Sequence, residues 1–353
     1  MKLKEFDYCL PKELIAQFPR ERRDASRLLV LERKTGKINH QIFPEIIDYL
    51  NPGDMLVLNN TKVIPARLWG VREKTGGKVE IFLLEKINGA IFRVLVKSRG
   101  RIGVGERIVF KDNYLSGRVF AKDGENFRWF RFEEDDDFLW KKLNKMGEIP
   151  LPPYIKRKPS EFDRERYQTV YASKEGAVAS PTAGLHFTQD LLKKIKDKGV
   201  NITYLTLHIN YATFNPVKEE NIKQHKMYRE YFEFPEETAK IVHQTRQKGK
   251  KILAVGTTSC RVLETVANFV PSCSSLLATC HLSGMSGWTD LFIYPPYKFK
   301  LTDMLLTNFH FPKSTLLMLV SAFCGSDIWK RAYQEAIKLK YWFYSYGDAM
   351  LII

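Results

Sequence analysis

Between Asp54 and Pro150 the chain runs through one strand-length segment after another, with no helical stretch between them, and nothing else in the sequence narrows its fold as much. The segments are Met55–Leu58, Ala66–Arg72, Lys78–Leu84, Ile91–Val96, Arg107–Phe110, Gly117–Ala121 and Phe127–Phe132. Turn residues separate them at Thr75-Gly76-Gly77, Asn88-Gly89, Asp112-Asn113 and Lys122-Asp123-Gly124. Short strands at this spacing predict a small antiparallel β-barrel.

On either side the texture differs. Pro11–Ala16 reads as a short helix and Arg27–Glu32 as a strand. Past the Pro-rich boundary Gly147–Tyr154, strands and helices alternate. A helix begins at Thr188 and closes at Gly199, the strand Val200–Ile209 follows, and a second helix runs from Pro235 to Gly249. The strand Lys251–Gly256 leads into a helix opened by Thr257-Thr258-Ser259, and Leu291–Tyr294 follows it. Then come the strand Met304–Phe309, an apolar helix near Ser314–Phe323 and a helix from Ser326. At 353 residues the chain exceeds what one core usually supports. The expectation is a mixed α/β main domain built from both ends of the chain (1–59 and 151–353), with an inserted antiparallel β-barrel domain at 60–150.

Charge bears on partners. Lys and Arg total 56 against 40 Asp and Glu, a net +16, which suits a polyanion such as RNA or DNA. Two clusters are candidate RNA contacts: Arg20, Arg22 and Arg23 in one loop, and Lys97, Arg99 and Arg101 on a Gly-rich turn. Solvated loops carry such runs as well. The acidic run Glu133–Asp137 is expected to face away from nucleic acid. Met1–Asp7 contains acids and no apolar core, so it is no signal peptide. The apolar run Leu316–Phe323 is far too short to span a bilayer. Five cysteines without a C-x-x-C pair, and histidines without ligand spacing, argue against a disulfide framework and a metal site. A cytoplasmic protein with no metal and no membrane association is expected, and a monomer.

Three loops share one form, in which a strand or Pro-rich turn is followed by hydroxyls and then a helix start: Pro181–Thr188, Gly256–Ser259 and Thr307–Thr315. Thr188 is placed to cap its helix, with Asp190 in the first turn. The same residues serve an ordinary capped helix with a satisfied histidine. In open α/β sheets, however, ligands bind beyond the carboxyl ends of strands, so three such loops can meet at one cleft. No G-x-G-x-x-G follows a strand, no P-loop appears, and Ser283–Gly287 is one residue out of register for a nucleophile elbow. His208 reads as a core histidine, and Tyr341–Tyr346 as a buried strand rather than a base-stacking platform.

At these loops the chain resembles the S-adenosylmethionine:tRNA ribosyltransferase-isomerase family of queuosine biosynthesis, nearly end to end. The matching motifs are Arg23–Val30, Gly53–Leu68, Gly147–Tyr154, Ser180–Thr188, Val255–Glu264, Thr307–Phe323 and Tyr344–Met350. One departure is His208–Phe214, where relatives tend to carry a Gly-rich version. The resemblance implies that S-adenosylmethionine is consumed as a ribosyl donor and not used to methylate. The acceptor would be 7-aminomethyl-7-deazaguanine at the wobble position of tRNA, with epoxyqueuosine-tRNA, adenine and methionine as products. It also implies an α/β domain carrying an inserted barrel.

That chemistry asks for a base to take a proton from the carbon beside the sulfonium, and for an acid to assist adenine departure. His186 and His310 are the first candidates, since histidine titrates near working pH. Glu264, Asp290 and Asp303 are the carboxylate alternatives. Thr182, Thr188, Thr257, Thr258, Ser259 and Asn308 are candidates to hold the cofactor's hydroxyls. Arg261 or Lys313 would hold its carboxylate or an RNA phosphate, and Phe187 or Phe309 would cover the sulfonium. Two other classes stay open: an RNA-binding protein without catalysis, and a hydrolase using a serine such as Ser259.

Overall fold

A computed structural model describes residues 1–124, 127–210, 217–269 and 283–353. In chain order the first strands are β1 (Arg27–Leu31), β2 (Ile38–Ile42), β3 (Met55–Asn59) and β4 (Thr61–Val63). Next come β5 (Arg67–Arg72), β6 (Lys78–Asn88), β7 (Ile91–Ser98), β8 (Arg107–Phe110), β9 (Leu115–Asp123) and β10 (Phe127–Phe132). After the helices α1 (Asp136–Met146) and α2 (Glu161–Arg166) follow β11 (Lys174–Ala177), α3 (Gln189–Asp197), β12 (Asn201–Leu207), β13 (Glu230–Phe234), α4 (Glu236–Gln247) and β14 (Ile252–Val255). The last elements are α5 (Gly256–Phe269), β15 (Met285–Thr289), β16 (Met304–Asn308), α6 (Thr315–Cys324), α7 (Ser326–Lys338) and β17 (Ala349–Ile352).

Among the described residues the main domain is one nine-stranded mixed sheet, ordered β15-β13-β12-β3-β14-β16-β17-β1-β2. Its centre is parallel: β12, β3, β14 and β16 run the same way. Side chains alternate across a strand, and here both faces are apolar. Leu29, Leu31, Met55, Val57, Ala254 and Leu305 face one core. Leu28, Val30, Leu56, Leu58, Leu253 and Leu306 face another. Burial on both sides explains why these strands read as continuous hydrophobic runs. Near the C-terminus Ile352 pairs with Leu31 in parallel, so the sheet is completed only when the two ends of the chain meet.

The insertion is a closed antiparallel barrel, β10-β7-β6-β5-β8-β9. Phe92, Phe110, Phe130 and Phe132 fill it, with Phe130 and Phe132 edge to face at 5.0 Å. Each buried ring contributes about 1.5–3 kcal/mol, and truncating Phe130 to Ala would cost about 3–5 kcal/mol through the cavity left behind. The acidic run 133–137 does more than face solvent. Asp136 and Asp137 occupy the first turn of α1, where the helix dipole favours acids, and Leu139 and Leu143 of that helix join the barrel core. β4 pairs with β11 in parallel as a separate two-stranded sheet, and the backbones of Arg67 and Glu148 exchange hydrogen bonds of 3.2 and 2.9 Å, linking the first barrel strand to the segment after α1. One expected strand is absent: Tyr341–Tyr346 is mostly an irregular turn before β17. Leu291–Tyr294, named without a type from sequence, has no regular structure.

Candidate active site

The three loops do meet. Ser180, Pro181 and Thr182, Gly256 to Thr258, and Thr307 to Phe311 line one cleft at the carboxyl ends of β14 and β16, about 610 Å³ with its open mouth included. Gly256 makes the turn possible: it follows β14 directly with φ of +88°, a conformation that side chains with a Cβ resist. Gly184 allows a second close approach, because a Cβ there would collide with the Tyr171 hydroxyl. A fourth segment closes the cleft. Tyr344 adopts φ of +72°, rare for a residue of its size, and this sharp turn brings Tyr344 and Ser345 to the wall. The Tyr344 ring lies 4.7 Å from that of Tyr154 and 5.9 Å from that of Phe311, giving an aromatic wall. Sequence reasoning missed all three rings. The motif Tyr344–Met350 was visible, but its aromatic spacing imitates a strand.

Among the described residues, several polar atoms around the cleft are buried without a partner: Ser180 Oγ, Thr258 Oγ1 and Asn308 Oδ1. Buried polar groups are nearly always hydrogen-bonded, so three orphans on one cleft describe a surface made for a polar ligand.

His310 lines the cleft. Its Nε2 is 2.6 Å from Thr307 Oγ1, and burial pushes its pKa down to about 3. Thr307 Oγ1 also lies 3.4 Å from the Asn308 carbonyl oxygen. With its proton directed there, the hydroxyl accepts from Nε2–H and leaves Nδ1 as the imidazole's lone pair. His186 is buried behind the cleft and does not line it. Its Nδ1 is 2.7 Å from Ser26 Oγ and its Nε2 3.3 Å from Asn308 Nδ2. Burial lowers its pKa to about 4, with Asp348 opposing.

The other candidates scatter. Thr182, Thr257, Thr258, Asn308 and Phe309 are on the cleft. Thr188 caps α3, accepting from Leu191 N at 3.1 Å, and Phe187 is core, edge-on to Phe43 at 5.0 Å. Ser259 is fully buried in α5, away from the cleft lining. Arg261 forms a buried ion pair with Glu230. Lys313 reaches Asp7 at 2.7 Å. Glu264 accepts from the backbone N–H groups of Lys300, Leu301 and Thr302, and so anchors that loop to α5. Asp303 pairs with Arg246 at 3.0 Å at the amino end of β16, the opposite edge of the sheet. Asp290 is exposed. Of the departing motif, His208 bonds Thr61 Oγ1 through Nδ1 at 2.8 Å, while residues 211–214 lie outside the described residues.

The basic candidates divide too. Arg20 is paired with Asp348 at 2.7 Å and Arg22 with Asp24 at 3.1 Å. Arg23 donates to the carbonyls of Glu165, Arg166 and Leu185. Burial first, and the neighbouring Arg166 second, lower its pKa. Both arginines line a groove with Thr188 and Asp190 at the start of α3, and Arg166 was not singled out from sequence. Lys97, Arg99 and Arg101 are exposed on the barrel, with Lys97 only 3.9 Å from Glu80. Among the described residues no group of three or more His, Cys, Asp or Glu is placed to hold a metal ion, and no helix is long and apolar enough to cross a membrane.

Comparison with known proteins adds a second line of observation. The model of a family described as "Queuosine biosynthesis protein" matches residues 3–352. The chain is 52% identical over 353 residues to the S-adenosylmethionine:tRNA ribosyltransferase-isomerase of Sulfurihydrogenibium sp. (strain YO3AOP1), with full coverage of both. It is 54% identical over 355 residues, again with full coverage, to the protein of that name from Halothermothrix orenii. A crystal structure of S-adenosylmethionine tRNA ribosyltransferase from Thermotoga maritima covers 99% of the chain and is itself covered completely, at 41% identity and a TM-score of 0.56.

Proposed function

We infer the activity from this premise: the chain belongs to the queuosine biosynthesis protein family. It is a ribosyltransferase-isomerase that acts on tRNA with S-adenosylmethionine as a substrate. The finer reading is that the acceptor is 7-aminomethyl-7-deazaguanine at the wobble position, and that epoxyqueuosine-tRNA, adenine and methionine are released.

The observation that carries the site assignment is the set of orphaned polar atoms, Ser180 Oγ, Thr258 Oγ1 and Asn308 Oδ1, on a cleft walled by Tyr154, Phe311 and Tyr344. Hydroxyls and an amide suit the sugar, base and amino-acid ends of S-adenosylmethionine. Aromatic faces attract a desolvated cation such as its sulfonium. When bound, S-adenosylmethionine supplies that sulfonium, which acidifies the adjacent carbon. The chain must then move protons, and His310 is the histidine on the cleft lining. Kept neutral by burial, it offers Nδ1 as a base. Because burial disfavours the charged ring, a proton taken up there is passed on to the departing adenine. Arg23 and Arg166 beside the start of α3, and Lys97, Arg99 and Arg101 on the barrel, are the proposed phosphate contacts for tRNA. Orientation, not charge, is the task of Phe309, packed at 4.9 Å against Phe343 under the cleft.

His310→Ala should lower kcat at least 100-fold, with little change in the dissociation constant of S-adenosylmethionine, because a proton-transfer group acts mainly in the transition state. Thr258→Val should do the reverse and weaken binding. A near-normal kcat in His310→Ala would remove His310 from the chemistry. Unchanged binding in Thr258→Val would move the nucleoside out of this cleft.

A further inference from the structure

Asn308 ends β16 with a side chain whose every hydrogen is committed. One Nδ2 hydrogen goes to the Tyr344 carbonyl at 3.0 Å, and the other points to His186 Nε2 at 3.3 Å. Turning the amide over would set Oδ1 against the Tyr344 carbonyl, acceptor against acceptor, so the orientation is fixed by chemistry. His186 is fixed in turn. A proton on Nδ1 is donated to Ser26 Oγ at 2.7 Å and leaves Nε2 as the acceptor that Asn308 needs. A proton on Nε2 would instead meet the amide hydrogens. Ser26, His186 and Asn308 thus form one oriented chain running from the residue before β1 to the cleft. It ends on Asn308 Oδ1, an atom without a partner among the described residues, on a residue only 2% exposed.

We propose that Asn308 Oδ1 is an acceptor-only subsite of the cleft, that it takes a hydrogen-bond donor of the sulfonium nucleoside, and that His186 is the positioning residue that aims it. The donor is a ribose hydroxyl or the exocyclic amine of the base, since both present an N–H or O–H that an amide oxygen accepts. This rests on the reading above that S-adenosylmethionine occupies the cleft. A buried acceptor deprived of water is costly until a donor reaches it, so the subsite discriminates against nucleosides that lack the donor. His186 cannot make that contact itself. It borders a separate, smaller hollow with Arg20, Arg23 and Ser345, and it reaches the cleft lining through its contact with Asn308. Its ring packs against Phe43 at 4.9 Å.

The test begins with the unaltered enzyme, which avoids any question of folding. Calorimetry compares S-adenosylmethionine with an analogue lacking the exocyclic amine and with 2′-deoxy and 3′-deoxy analogues. One of the three should bind about 10–100-fold more weakly, and which one identifies the donor. Asn308→Ala should bind S-adenosylmethionine as weakly as wild type binds that analogue, and should no longer distinguish the two. His186→Ala should raise KM by a similar factor with a smaller effect on kcat. His186→Gln, which can still present an acceptor to Asn308, should recover most of the loss and keep both limbs of the pH–rate profile. Equal affinity of wild type for all four nucleosides overturns the subsite. A His186→Gln enzyme as impaired as His186→Ala, with one limb of the pH profile lost, overturns the positioning role by making His186 a proton carrier. Failure of wild type to bind S-adenosylmethionine at all, or binding insensitive to Thr258→Val, refutes instead the cleft assignment on which this proposal stands.

Discussion

Two imidazoles held neutral in the interior should make this protein lose stability in mildly acidic solution. Burial lowers the pKa of His186 to about 4 and of His310 to about 3, against about 6.5 in an unfolded chain. Between those values the unfolded state binds more protons than the folded one, so stability is full above about pH 6.5 and falls as pH drops toward the folded values. At pH 4.5 each histidine has withdrawn roughly 2.5 kcal/mol, about 5 kcal/mol for the pair, from a total that for a typical fold is only ~5–15 kcal/mol. Among the shifted carboxylates, Glu85, raised by burial, acts in the opposite sense and is removed by difference. Glu133, hydrogen-bonded by Arg107, is held down to about 2, and Asp163 is held well below its usual range by Arg157 and Ser160 despite burial. Their losses begin near the unfolded carboxylate values of about 4. His208, also lowered by burial, acts in the same direction and is removed by difference. The assay is urea unfolding at several pH values from 7.5 to 4.5 for wild type, His186→Gln, His310→Gln and the double variant. Each single variant should flatten the slope by about half of the pair's share. A double variant whose stability falls as steeply as wild type would refute the claim that these rings are buried and neutral.

Three further expectations follow from other parts of the molecule. Because the barrel has its own aromatic core, we propose that residues 60–150 form a separately folded domain; limited proteolysis should cut first at turn tips such as 74–77 or 111–113 while the α/β part stays intact, and even, early cleavage across 180–350 would contradict this. Arg99→Ala and Arg101→Ala, at exposed sites without a carboxylate partner among the described residues, should each reduce the salt dependence of tRNA binding by about 0.7–0.9 in log–log slope, with affinity for S-adenosylmethionine unchanged; an unaltered slope clears that turn. Activity should persist in excess chelator, and loss restored by added zinc would show a metal that the described residues do not reveal.

Most of the fold was legible because the residues that build it obey one local rule each. Met55–Leu58 and Met304–Leu306 are apolar on both faces, and the barrel strands stand between recognisable turns. The helix α1 was not legible, because its first turn is a row of acids that reads as surface until the dipole gives them a reason to be there. The convergence of the three hydroxyl-bearing loops followed from strand–loop–helix order alone. Assigning atoms did not. Glu264 has the charge of a catalyst, but what it touches is three backbone N–H groups nearly forty residues away, and no spacing rule reports that. Tyr344 shows the same limit from the other side: an aromatic run looks like a strand until one residue adopts a left-handed backbone and turns its neighbours into a cleft wall. Phe187, one residue past His186, suggested a lid, whereas the chain turns it inward against Phe43.

The central claim, that one cleft moves the sugar of S-adenosylmethionine onto tRNA, is tested most directly by following two labels. S-adenosylmethionine labelled in the ribose should label tRNA carrying 7-aminomethyl-7-deazaguanine and release one adenine and one methionine for each sugar transferred, while methyl-labelled S-adenosylmethionine should leave that tRNA unlabelled. Methyl label in the tRNA, or tRNA binding with no adenine released, would contradict the account.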